Sequence, residues 1–148
     1  MPKEIYYLLA LLAGLAVAIQ TGANSQLRLI VQNPMVTALI SFLVGTTILL
    51  AYVLITSYQH LPPADMLGKI SWWKWLGGVM GAFYICTVVI IAPKIGAANT
   101  LGFIVAGQLI SAVIFDHFGL LGFEIRPATL VRVLGVIFLI LGVYLIRR

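Results

Sequence analysis

From Leu29 to Ala64 the chain carries no charged side chain, and the same holds for residues 5–27, 75–93 and 95–115. A last apolar stretch, 127–146, is interrupted only by Arg132. A hydrocarbon core about 30 Å thick needs roughly 20 apolar residues per helix. The pattern therefore predicts an all-α membrane protein with five transmembrane helices, at about 4–26, 34–57, 72–92, 96–118 and 127–146, in one transmembrane domain over 1–148. Little chain is left for loops, so whatever the protein does is done in or across a bilayer.

Prolines fit this division. Pro34 and Pro127 are placed to open spans, where a missing N–H costs nothing. Pro62, Pro63 and Pro93 are expected between spans and Pro2 before the first, so no proline kink is predicted. The short Pro93–Gly96 connection makes spans three and four antiparallel neighbours. Trp72, Trp73 and Trp75 gather where span three starts, as an aromatic belt does. Lys3, the run after it and Ala16-Val17-Ala18 imitate a signal peptide, but the apolar run continues past them and reads as a span.

Composition narrows the function. The chain is 62% hydrophobic and 9% charged, against about 25% charged in soluble domains. The longest polar-leaning segment, Tyr58–Ser71, leaves no soluble domain. The net charge of +5 comes from residues at span ends, where Lys and Arg meet headgroups, and does not signal nucleic-acid binding. The single cysteine, Cys86, lies inside span three, which excludes a disulfide framework and a metal set. No nucleophile–base pair, metal cluster or phosphate loop is present, so no enzyme and no cofactor is predicted.

The polar residues inside the spans are few. Gln20 and Asn24 are four apart on span one, with Arg28 one turn further on, and Gln108 lies near the middle of span four with Ser111 beside it. A midplane amide needs a partner or a wet cavity. Gln20, Asn24 and Gln108 are therefore the candidate substrate-binding residues, weighed against plain interhelical hydrogen bonding. Asn99 and Thr100 start span four, where capping or bonding back to the preceding turn accounts for them. Asp116 and Arg132 close one hairpin near the same interface and read as a structural ion pair, with His117 interfacial. No carboxylate lies near the middle of a span. Amides suit a neutral or zwitterionic ligand better than a lone cation. Gly77-x-x-x-Gly81, Gly14-x-x-x-Ala18, Gly102 and Gly107 offer thin faces for helix packing or sliding.

Five spans put the termini on opposite sides. Lys3, Lys69, Lys74, Arg126 and Arg132 fall on the N-terminal side, and Arg28, Lys94, Arg147 and Arg148 on the other. So even a balance gives the positive-inside rule almost nothing to act on. It is the balance expected of dual topology, with copies inserted both ways and paired antiparallel, an arrangement that builds an inverted-repeat transporter from two halves.

Several ordered stretches match a known pattern: Gln20-x-x-x-Asn24-x-x-x-Arg28, Pro34 through Ser41-Phe42-x-x-Gly45, Trp75-Leu76-Gly77-Gly78-x-x-Gly81, and Pro93-Lys94-x-Gly96-Ala97-Ala98. They continue with Ala106-Gly107-Gln108, Asp116-His117-Phe118-Gly119-Leu120-Leu121-Gly122, Pro127, Arg132 and Gly135. Across essentially its whole length the chain resembles the YdcZ-like family of small bacterial membrane proteins, a five-helix branch of the drug/metabolite transporter superfamily. The resemblance implies a multi-pass protein of the bacterial inner membrane that forms half of a ten-helix transporter. It would work as an antiparallel homodimer or with a paired homologue, embedded in membrane lipid, on a small-molecule substrate. The expected activity is movement of a small polar or amphipathic molecule by alternating access. The competing expectation is a non-transporting subunit docked on a larger complex through its glycine faces.

Overall fold

The computed structural model describes residues 2–147, and the regular elements among them are all helical. Arg148, counted above with the C-terminal cations, lies outside the described residues. The long helices are α1 (Lys3–Val31), α2 (Pro34–Thr56), α4 (Leu76–Ile95), α5 (Ala97–Phe118) and α6 (Leu130–Ile146). A single-turn helix, α3 (Ala64–Leu67), lies between α2 and α4. Four stretches, Lys3–Val31, Pro34–Thr56, Trp72–Ile95 and Ala97–Phe118, are long and apolar enough to cross a membrane; Leu130–Ile146 is apolar but shorter, at 17 residues. The described residues form two compact units that meet between Ile91 and Ala92.

In the first unit α1 runs five residues past its expected end. It stops where Gln32 takes a left-handed conformation (φ 58°) and donates its N–H to Arg28 O at 2.8 Å. Asn33 then caps α2: its Oδ1 accepts from Met35 N and Val36 N at 2.9 and 3.1 Å, and Pro34 fills the first helical position. Two residues thus turn the chain, and α1 packs against α2. The apolar core is small. Ala38 of α2 meets Ile85 and Val89 of α4, with Tyr84 and Cys86 against them, and Phe42 closes over Gly81. Most large apolar side chains point outward instead: Tyr7, Ile30, Ile55 and Trp72 are each more than 70% exposed. That is the surface of helices solvated by lipid.

Pro93 departs from expectation. It lies inside α4, which continues to Ile95, and not in a connection. Only Gly96 separates α4 from α5. Its φ of 85° is closed to most side chains, and its N–H reaches Ala92 O at 2.9 Å.

In the second unit α5 packs along α6, and the approach is close at Gly102, where an added Cβ would lie 3.2 Å from Val143 Cγ1. Gly119 ends α5 in the left-handed region, Leu121 and Gly122 follow with positive φ, and the chain continues without regular structure to Thr129. Pro127 does not open α6. Its carbonyl accepts the Thr129 N–H, and Thr129 is the cap, accepting from Arg132 N at 3.4 Å. The fifth helix starts three residues later than the proline alone predicts.

Candidate functional site

The polar groups of α1 do not form one stripe. Thr21 (2% exposed) and Asn24 (7%) are buried, and Arg28 is half-buried one turn on. Gln20 lies about 70° round the helix from the mean direction of these three at 100° per residue, and it is exposed. The expected face of Gln20 with Asn24 is thus divided between an inward and an outward amide. Thr21 and Ser25 turn their hydroxyls back to Val17 O and Thr21 O, both at 2.8 Å. Asn24 and Gln20 have no hydrogen bond among the described residues.

Arg28 Nη1 donates to Val89 O at 2.7 Å, across from α1 to α4. The reason that this carbonyl is available lies four residues on. In a helix Val89 O would accept from the N–H of residue 93, and Pro93 has none. Arg28 supplies the missing donor to a residue that is wholly buried. Sequence reasoning placed Pro93 outside the helix and so missed this contact. The signal was Pro93 itself, once α4 is allowed one further turn.

In the second unit Gln108 lies on the exposed face of α5 and has no hydrogen bond among the described residues. Gly107 beside it meets open space, as does Gly77, whereas Gly81 touches Phe42. Asn99 bonds back through Nδ2 to Ile95 O and Thr100 through Oγ1 to Gly96 O, both at 2.8 Å; Asn99 Oδ1 is buried without a partner.

At the far end of the same unit Arg132 Nη2 donates to Asp116 Oδ2 at 2.5 Å, with the two side chains 33% and 24% exposed. Arg132 Nη1 also donates to Arg126 O at 2.9 Å, and Arg126 N donates to Asp116 O at 2.8 Å. His117 Nδ1 accepts from Ala128 N at 3.1 Å. Together these four contacts tie the strap 123–129 to the end of α5 and the start of α6. The pair satisfies its own charges and holds a loop. Among the described residues no group of three or more His, Cys, Asp or Glu could hold a metal ion.

Two grooves mark the surface. One, of about 390 Å³, lies among Ala38, Phe42, Gly78 and Cys86; the other, of about 560 Å³, runs along α5 and α6 past Gly102 and Phe138. Both are apolar, and none of the three candidate amides lines either. A third recess of about 420 Å³, more polar than either groove, is bounded by Ile95, Asn99, Phe103 and Arg147.

Long apolar helices, a thin core and polar groups only at a few depths define a polytopic α-helical membrane protein. Residues 5–145 match the family described as "Putative inner membrane exporter, YdcZ". The chain belongs to this YdcZ family and is a bacterial inner-membrane protein of the transporter type. It is 25% identical over 136 residues to the inner membrane protein YdcZ of Escherichia coli (strain K12), covering 92% of this chain and 90% of that one. No solved structure matches it.

Proposed function

We propose that the protein carries a small polar or amphipathic molecule across the inner membrane as an antiparallel pair, by alternating access. Gln20, Asn24 and Gln108 of both copies would line the path. The reading is supported above all by Gln108, an amide near the middle of α5 that a single chain leaves exposed and unpaired. Moving an amide from water to hydrocarbon without a hydrogen bond costs about 2–7 kcal/mol. A second copy, with water or cargo between the two, removes that cost. The exposed Gln20 and the open faces at Gly77 and Gly107 fit the same arrangement. The family description favours the outward direction. The reading leaves no place for enzyme chemistry.

The near-even distribution of Lys and Arg is what lets one sequence insert both ways. The test is single-cysteine labelling of Lys3→Cys and Arg147→Cys in a Cys86→Ala background, in intact cells with an impermeant maleimide. Each position should label partly from outside and fully only after permeabilisation. Complete labelling of one terminus and none of the other would contradict the antiparallel pair and favour a subunit of fixed orientation.

A further inference from the structure

The chain has four acidic residues. Asp65 lies 3.5 Å from Lys69, Glu124 lies 2.8 Å from Arg126, and Asp116 is taken by Arg132. The fourth, Glu4, is in the first turn of α1, about 36 Å from Arg28 along the axis at 1.5 Å per residue. Among the described residues, then, no carboxylate meets Arg28, although its side chain is half-buried beside the buried Val88 and Val89 of α4. Nη1 is committed to Val89 O. Nη2 and Nε have no hydrogen bond among the described residues. One turn back on the same stripe, Asn24 is buried with its amide also unpaired. A guanidinium with two free donor groups next to an amide that has no partner is short of one thing, a planar or tetrahedral group of anionic oxygens.

We propose that Arg28 and Asn24 recognise an anionic group, a carboxylate or a phosphate, on the molecule that the protein carries. This deepens the transport reading given above and rests on it. It also changes the expected cargo, since the sequence alone favoured a neutral or zwitterionic one. The Val89 contact fixes where the anion sits. Val89 is six residues before the end of α4, about 9 Å inward by helical rise. The carbonyl freed by Pro93 holds the guanidinium against that level, whereas an arginine that only anchors to headgroups extends outward. A phospholipid phosphate offers the same oxygens, so the two sources must be separated by experiment.

The experiment is thermal unfolding of the purified full-length protein in a neutral detergent, with benzoate, with its uncharged counterpart benzamide, and with added phosphatidylglycerol. Benzoate should raise the midpoint and benzamide should not. Arg28→Gln should weaken the benzoate response at least tenfold, Arg28→Lys less, and Asn24→Leu severalfold. Arg28→Gln combined with Pro93→Ala provides the folding control, because the restored N–H satisfies Val89 O within the helix; benzoate binding should stay lost there. Equal responses to benzoate and benzamide, no response to either, or a benzoate response intact in Arg28→Gln would each overturn the proposal. Stabilisation through Arg28 by phosphatidylglycerol alone would assign the anion to lipid and overturn it as cargo recognition. A benzamide response lost in Asn24→Leu would overturn it too, while leaving transport of a neutral molecule standing.

Discussion

Two arginines, one in each unit, reach a backbone carbonyl of a neighbouring segment, and there the likeness stops. Arg132 also holds Asp116 and through it a loop, so its charge is balanced within the protein. Arg28 holds Val89 O alone and has no carboxylate among the described residues. A partly buried charge that is balanced internally serves the fold. One that is held in place but unbalanced is set up for something that arrives from outside. The hairpin of α5 and α6 therefore looks finished at its strap, while the α1–α4 side looks prepared.

The largest effect that sharpens this contrast is on stability. Arg132→Gln or Asp116→Asn alone should cost about 2–3 kcal/mol in detergent, the upper part of the range for losing hydrogen bonds to charged groups, because each leaves its partner's charge and the 123–129 strap unheld. The double variant should cost clearly less than the two added together, since no lone charge remains; equilibrium or thermal unfolding of all four proteins measures the coupling. Arg28→Gln loses a single bond from a charged donor and no carboxylate partner, and should cost about 1.5 kcal/mol, the lower end of that range. If it costs as much as Arg132→Gln, the two arginines are alike and the contrast fails.

Glycines give the next test. Gly119→Ala places a side chain at a φ of 63° and a Cβ 2.8 Å from Ile125 Cγ1, and should cost about 1–2 kcal/mol from backbone conformation alone. Gly107→Ala meets open space within the chain and should leave unfolding of the single chain unchanged. Any loss it causes should show in the association of two copies, measured by cross-linking or sedimentation. The smallest effect is that of Pro93→Ala, which restores the N–H to Val89 O and should raise stability by up to about 1 kcal/mol. A clear loss there would mean that Pro93 is needed for more than freeing a carbonyl.

What could be read in the sequence follows from which signals are local. Charge-free stretches and turn residues are local, so the helices and their order were legible. So was the approach of Asp116 to Arg132, because a hairpin brings its own ends together. The ends of α1 and α4 were not. Gln32 in a left-handed turn and a proline tolerated in a last turn depend on which neighbour satisfies the backbone, and Val89 O finds its donor 61 residues away in the chain. The division of Gln20 from Asn24 was hidden for a similar reason. Four residues apart on a helix is about 40°, enough for one amide to be buried and the other exposed once α1 has settled against its neighbours.

On the antiparallel reading the mid-span amide of α5 faces a path between two copies. Gln108→Cys in a Cys86→Ala background, in native membranes, tests it directly with a charged, water-soluble methanethiosulfonate reagent. Modification should be rapid, slower when cargo is present, and an oxidant should produce a cross-linked dimer. A cysteine that this reagent leaves untouched, while a lipid-soluble maleimide modifies it readily, would place residue 108 against hydrocarbon and contradict the account.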